Sequence, residues 1–383
     1  MTIPYQTIEN IIEGQFNGLI AMHTPAPDKY PGILVGVTVG GTKYYFAYGK
    51  IPMAEGGALP ATQDIVMLIG SNTKVFTATL LALAAIQQPT SVSITLDTAA
   101  ADLVPSGTTI NLYDGDPILL WHLATHSAGF PDGPCGQTVW GNYTFDQTAT
   151  FLSAFTPPYG PGTYWFYSDQ SFALLGVLLS HAYTSQSGAS SSWDGTYQAW
   201  PTIAADNIIV PLGMTTTQVD FTPVISQLAM PYCYVAEKQL YEAVSPPTVV
   251  LDSAALGAGA LSSTLCDMLT FLQSQIAPPN NTLGKAIALT QQEQGSGLSM
   301  GLGWEIGNGF FYKDGMVPGY TSYMAVDPTN QIGLIAMGNC QPGDEGTSLG
   351  IAGRQALGAL RGSTATAGHN PAPPLSEIPE CPS

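Results

Sequence analysis

Apolar residues recur at helical spacing near the start of the chain. Ile8, Ile11, Ile12, Phe16, Leu19 and Ile20 fall on one face, which predicts an amphipathic helix from Ile8 to Met22. Two runs rich in β-branched and aromatic residues follow, Gly32 to Val39 and Lys43 to Tyr48. Gly40-Gly41-Thr42 joins them, a hairpin signal. Val66 to Gly70 leads into Ser71 and a nearly all-apolar stretch to about Ile86. A helix apolar all round is a buried one, so this helix should lie at the centre of the molecule and stop at Gln87-Gln88-Pro89.

From about 90 to 250 the pattern breaks into short helices and Gly/Pro/Ser/Thr loops, with a low-complexity loop from Ser185 to Gly195. A helix from Cys266 to Gln275 then precedes strand-like runs at Gly303 to Ile306, Tyr320 to Val326 and Ile332 to Met337, and a last helix runs from Gly350 to Leu360. Strands at both ends with helices inserted between them predict an α/β (α+β) fold: one antiparallel sheet built from both chain ends, flanked by helices, with an all-helical lobe. A single catalytic domain over 1–364 is expected, with its sheet lobe at about 1–70 and 250–364 and its helical lobe at about 71–249. Residues 365–383 form a Pro-rich tail, expected to be disordered. The cleft between two such lobes is the default place for chemistry.

Composition narrows the partners. Acids outnumber bases 27 to 9, giving a formal charge of -18, while only 9% of residues are charged. Phosphates would be repelled, which argues against nucleic acid or an anionic membrane. No apolar run reaches the roughly 18 residues of a membrane-spanning helix. A surface of Ser, Thr, Gln, Asn and Gly leans toward a secreted or periplasmic protein, whereas Met1 running straight into polar sequence, with no signal peptide, leaves the cytoplasm open. The five cysteines, Cys135, Cys233, Cys266, Cys340 and Cys381, are odd in number and widely spaced, so buried free thiols are expected, with room for one or two disulfides. Neither they nor the five histidines show metal-ligand spacing; no metal or cofactor is expected.

Ser71-Asn72-Thr73-Lys74 sits where a loop enters the buried helix. Positions i and i+3 share a helix face, so the Lys74 amine can reach the Ser71 hydroxyl. A serine needs a neighbouring base to become nucleophilic, and a lysine in a dry site can have its pKa lowered enough to serve. Of seven lysines only Lys74 has Ser three residues before it, on the most apolar helix, where an idle lysine would be costly to bury. Free N–H groups at the helix start favour a developing oxyanion. Gly162 to Asp169 (GTYWFYSD) places Tyr167 just before another apolar helix. Tyr312-Lys313-Asp314-Gly315, on an edge strand, can bring an ammonium near that tyrosine, with N–H groups facing a bound carbonyl.

In this order the three segments resemble the active site of the serine β-lactamase and penicillin-binding protein superfamily. The best match is the branch of class C β-lactamases, the esterases similar to them, and D-stereospecific amidases and peptidases, which reads Ser-x-x-Lys, Tyr-x-Asn, then Lys-Thr-Gly or His-x-Gly. Leu119 to Pro131 resembles that branch's HLLTHTSGLP segment, and Val210 to Met214 its PLGM turn. Gly259 to Asp267 resembles GGLxSTxxD, and Pro318 to Ser322 resembles PGxxS, so the likeness spans roughly residues 10 to 360. The resemblance implies that Ser71 is acylated, Lys74 shares its proton, Tyr167 acts as general base and Lys313 lowers the Tyr167 pKa. It also implies an oxyanion hole from the backbone N–H groups of Ser71 and Met316. The implied activity is a serine hydrolase acting on a small ester, amide or peptide: an esterase, or a D-amino amidase or peptidase. The alternatives are a β-lactamase or D-Ala-D-Ala carboxypeptidase and, in another class, a non-catalytic penicillin-recognising sensor.

The chain departs from the pattern at two substrate-binding positions beside Gly315. Asp169 stands for the usual Asn and Asp314 for the usual Thr. Two acids there would repel a carboxylate, favouring a neutral substrate or one with a free amine. Register Ser168-Asp169-Gln170 is an alternative that fits the flanking residues less well. Gly297 to Gly301 matches the nucleophile elbow Gly-x-Ser-x-Gly, but a strand follows Ser299 where that motif needs a helix. His122 and His126 are expected to be structural, His126 orienting the loop that bears Gly129. Tyr164, Trp165 and Phe166 are expected to pack rather than to hold substrate.

Overall fold

A computed structural model describes residues 3–21, 25–87, 93–133, 135, 143–184, 192–248 and 250–382. Its main elements in chain order are α1 (Tyr5–Phe16), β1 (Gly32–Val39), β2 (Thr42–Gly49), α2 (Thr73–Gln87), α3 (Asp169–Thr184) and α4 (Leu265–Ile276). There follow α5 (Thr282–Thr290), β3 (Glu305–Ile306), β4 (Phe311–Val317), β5 (Tyr320–Asp327), β6 (Ile332–Gly338) and α6 (Thr347–Arg361). Gln88 and Pro89 of the expected helix stop, Met22, and most of the Ser185–Gly195 stretch lie outside the described residues.

The six strands form one antiparallel sheet in the order β2-β1-β6-β5-β4-β3, so the N-terminal hairpin joins the C-terminal meander through β1 and β6. Helices flank both faces. Ile33, Val35 and Val37 of β1 point to a core shared with Ile8, Ile12 and Phe16 of α1 and Leu349 and Leu357 of α6. Leu34 points the other way, into the larger core with α2 and α4. Alternate side chains of a strand serve opposite faces, which is why β1 is buried along its whole length and reads as a continuous apolar run. Burying each such Ile, Leu or Val stabilises the fold by about 1.5–3 kcal/mol before entropy is counted.

Helix α2 is buried from Thr73 to Ala84 and packs against α3 and α5, with Phe76 stacked on Phe271 of α4 at 4.2 Å between ring centroids. The inserted region 71–249 is mainly helical. It also sends out a hairpin, Tyr232–Val235 with Leu240–Ala243, that pairs with Cys340–Gln341 beside the sheet.

Two expectations are corrected. The Pro-rich tail is not loose: Asn308 donates its N–H to Thr366 O at 3.0 Å, Ser299 to Asn370 Oδ1 at 2.8 Å and Trp165 to Pro371 O at 2.8 Å. Prolines lower the entropy lost on ordering such a segment. A disulfide between Cys135 and Cys381, 246 residues apart, ties its far end to the helical side; Cys233, Cys266 and Cys340 are free thiols.

Candidate active site

Strand β4 runs hard against the turn that carries Ser71, and two glycines permit the approach. Gly70 adopts φ +51°, and a Cβ there would stand 2.7 Å from Met316 N. A Cβ on Gly315 would stand 2.3 Å from Ile69 O and 2.5 Å from Ser322 Oγ. Ser322 Oγ donates to Ile69 O at 2.8 Å and accepts from Asn72 Nδ2 at 2.8 Å. Strand, turn and helix start are thereby locked together. Ser71 lies in a 3₁₀ turn, Gly70–Asn72, immediately before α2, so Lys74 still falls one turn below it.

The structure brings the predicted side chains together. Lys74 Nζ, fully buried, donates to Ser71 Oγ at 2.9 Å, to Asp169 Oδ1 at 2.5 Å and to Ala258 O at 2.6 Å. Tyr167 OH lies 2.5 Å from Ser71 Oγ and 3.1 Å from Asp169 Oδ1. Lys313 Nζ sits 4.9 Å from the Tyr167 ring centroid, on its face, and pairs with Glu305 Oε1 at 3.3 Å. Strand β3 pairs only with Phe311 and Tyr312 of β4. On that side, Lys313 to Val317 has no strand neighbour among the described residues. Ser71 and Met316, whose amides were expected to face a substrate carbonyl, both line one cavity of about 520 Å³, with Asp169, Asp314 and Gly315.

The electrostatics differ from the expectation. Burial lowers Lys74 to about 8, against the opposing pull of Asp169, with the Lys313 charge adding to the lowering. Tyr167 is pushed well above the usual phenol range by burial and by the Asp169 carboxylate, with the Ser71 hydrogen bond pulling the other way and Asp132 adding to the rise. Lys313 meets the ring face and not the hydroxyl, so the expected lowering of the Tyr167 pKa by Lys313 is not what these surroundings produce. Asp314 is pushed up to about 6 by burial and by Glu305, and Asp132 is raised by burial and by Asp169.

Sequence reasoning missed several residues here: Asp132, Glu305, Glu345 and Arg354 all line the cavity. Trp165, expected to pack rather than to hold substrate, lines it as well, because its backbone is held by the tail at the cleft edge. His126 stacks on Tyr167 at 4.6 Å, and its Nδ1 accepts the Ser168 N–H at 3.0 Å, so it backs the tyrosine as well as shaping its own loop. His122 Nδ1 accepts the Leu119 N–H at 3.0 Å, and burial lowers it to about 4. Ser168 Oγ is buried, donating to Pro131 O at 2.7 Å and accepting from Ser171 N at 2.9 Å; it caps α3 and is not among the residues that line the cavity, whereas Tyr167 is. Ser299 Oγ donates to His369 O at 3.0 Å and anchors the tail. Among the described residues no three His, Cys, Asp or Glu side chains gather as metal ligands, and no helix is long and apolar enough to cross a membrane.

The family model described as Beta-lactamase matches residues 20–357. The chain belongs to the beta-lactamase family. It is 27% identical over 331 residues to the D-alanyl-D-alanine-carboxypeptidase/endopeptidase AmpH of Escherichia coli (strain K12), across 80% of this chain and 78% of that protein. It is also 27% identical over 374 residues to a Beta-lactamase of the same organism, across 87% and 89%. A crystal structure of a class C beta lactamase superposes with a TM-score of 0.74 at 18% identity, covering 94% of this chain and 99% of that one. At that identity the likeness bears on the fold. As a beta-lactamase family protein the chain is a member of a serine hydrolase superfamily. The site holds a set of carboxylates: Asp169 is tied to Lys74 and Glu305 to Lys313. Asp132, Asp314 and Glu345 form no ion pair among the described residues.

Proposed function

We propose that the protein is an acyl-transfer hydrolase that forms an acyl-enzyme at Ser71 and acts on a small ester or amide, as an esterase or a D-amino amidase or peptidase does. The observation that carries this reading is one oxygen held by two proton-transfer groups: Ser71 Oγ stands 2.9 Å from Lys74 Nζ and 2.5 Å from Tyr167 OH. Ser71 Oγ attacks the carbonyl carbon and the bond to the leaving amine or alcohol breaks. Lys74 takes the Ser71 proton. Tyr167 gives its own to the leaving group and regains one from Lys74 through the hydrogen-bonded cluster, so the net loss is one proton to the leaving group. Water then cleaves the acyl-enzyme to release the acid and restore the serine.

The pKa directions divide the labour. Lys74, brought down to about 8, is the base that takes the Ser71 proton; Tyr167, held as a phenol, is the acid that serves the leaving group. The N–H groups of Ser71 and Met316 are assigned to the carbonyl oxygen. The Lys313 ammonium packs on the face of the Tyr167 ring and helps to hold the phenol in place. Three unpaired carboxylates in the cavity favour a neutral substrate or one with a free amine over a carboxylate.

A second reading, β-lactamase or D-Ala-D-Ala carboxypeptidase, draws support from the names of the relatives and from Arg354 and Lys313, which offer two cations to a substrate carboxylate. Intact mass after exposure to a neutral fluorophosphonate tests the shared mechanism: one adduct on wild type and none on Ser71→Ala is expected. Equal adducts on both would sink it, and a non-catalytic sensor would take its place. Turnover of a chromogenic cephalosporin exceeding that of neutral and amine-bearing esters would move the second reading ahead.

A further inference from the structure

We infer that Asp169 is a positioning residue that sets the pH at which Ser71 becomes reactive, by holding Lys74 as an ammonium; this rests on the reading of Ser71 as the nucleophile. The geometry of the amine carries the argument. Lys74 Nζ meets three acceptors, Ser71 Oγ at 2.9 Å, Asp169 Oδ1 at 2.5 Å and Ala258 O at 2.6 Å. An ammonium has three protons, and here each has a partner. The neutral amine has two protons and a lone pair. To accept the Ser71 proton it must first release one, keeping its bonds to Asp169 and Ala258 and turning the lone pair to Ser71.

The directions of the other hydrogen bonds follow. With Lys74 donating to Ser71 Oγ, the serine proton points at Tyr167 OH, 2.5 Å away, and the phenol donates to Asp169 Oδ1 at 3.1 Å. One carboxylate oxygen thus terminates two chains of donors. It sits at the first turn of α3, where the helix N-terminus favours an anion. A side-chain amide at 169 could keep an acceptor for Lys74 while adding no charge.

The other groups around Lys74 are few. From β4 the Lys313 ammonium opposes its charge; from the loop before α3 comes Tyr167, and from the turn 125–127 the neutral, buried His126; Asp132 adds a more distant negative charge. The Phe172 ring of α3 lies 5.7 Å from Nζ, and the turn Leu256–Gly259 carries no titratable group. Among the described residues Asp169 is the one opposite charge in contact with Lys74. It stabilises the ammonium against the burial that disfavours it, so activity should appear only as pH rises through the Lys74 titration, near 8.

The test is the pH profile of the rate at which a neutral fluorophosphonate acylates Ser71, which leaves the charge of the cavity out of probe binding. The wild-type rate should rise with a midpoint near 8. In Asp169→Asn the midpoint should fall by about one pH unit or more, since an opposite charge in contact shifts a pKa by about 1–3. Its rate at pH 6.5, relative to its own plateau, should then rise roughly tenfold. Asp132→Asn should shift the midpoint the same way by less, and it carries the test alone if Asp169→Asn fails to fold. Asp169→Glu should return the midpoint toward the wild-type value.

An unmoved midpoint in Asp169→Asn, with Ser71 still labelled, would overturn the inference while leaving the proposed function intact. Loss of labelling at every pH in a folded Asp169→Asn would overturn it too, by making Asp169 a direct participant. No labelling of wild type at any pH would instead remove the proposed function on which the inference rests.

Discussion

The floor and the rim of the cleft are built in opposite ways. The floor consists of side chains inside a packed core: Asn72, Thr73 and Lys74 are fully buried, and Thr73 Oγ1 accepts the Leu261 N–H at 3.1 Å. The rim consists of segments distant in sequence, those of Asp132, Trp165 and Glu345; backbone hydrogen bonds tie Asp132 to the start of α3 and Trp165 to the tail, and the disulfide ties the tail to Cys135. A dense core has few alternative packings, so the floor is held to one geometry. Loops on a surface are held only where a partner reaches them, so the rim is free to define which substrate the same chemistry serves.

The sharpest way to break this contrast is to disturb the floor by one carbon. Gly315→Ala would set a Cβ 2.3 Å from Ile69 O, a backbone atom fixed by the turn beneath Ser71. Strand β4 must move away, carrying the Met316 amide and Lys313 with it. A misplacement near 1 Å costs on the order of 100-fold in rate. The acylation rate of Ser71 should fall by that order and the melting temperature should drop. An alanine variant with wild-type kinetics would mean that the floor is softer than its packing implies.

The rim should respond in stability more than in rate. Cys381→Ser removes the link between the tail and the helical side, a change expected to cost about 2–5 kcal/mol for a native disulfide closing a long loop. Thermal melts with and without reductant should coincide for the variant and differ for wild type. Acylation of Ser71 should change only a few-fold, since among the described residues the tail's backbone hydrogen bond to the cavity lining is the one to Trp165. A fall as large as that of Gly315→Ala would place the tail in the floor's class.

The same contrast explains what the sequence made legible. The floor is written in short continuous stretches, Ser71 to Lys74 and Tyr167 to Asp169, where i, i+3 spacing and a buried helix leave little freedom. Strands β1, β5 and β6 carry apolar runs that a sheet buried on both faces explains, whereas the edge strand β2 is largely half-buried or exposed and is marked by its aromatic residues and the glycine turn before it. Strand β4 was harder to read: Phe311 to Val317 holds Lys, Asp and Gly, and its burial comes from the turn packed on it and not from an apolar pattern. The Cys135–Cys381 pairing has no local signal, because nothing in the spacing of five cysteines selects it. Asp132, Glu305, Glu345 and Arg354 are ordinary surface types in sequence, and only folding brings them to one cavity.

The smallest expected effect concerns charge on β4, where the floor meets the rim. Asp314 has no ion pair among the described residues, and burial with the neighbouring Glu305 pushes it up to about 6. Its ionised form therefore costs the folded state something that the unfolded chain does not bear. That cost is present above pH 6 and vanishes below the ordinary carboxylate value near 4, where both states are protonated. Asp314→Asn should accordingly raise the melting temperature at pH 8 and leave it unchanged at pH 4. A bound cation would relieve the same cost, so wild type should prefer an amine-bearing ester over its neutral isostere at pH 8, and lose part of that preference as pH falls through 6. In Asp314→Asn the ratio of kcat/KM for the two esters should be a few-fold smaller at pH 8 and flatter with pH. An unchanged ratio would move the selection of charge from Asp314 to Asp132 and Glu345.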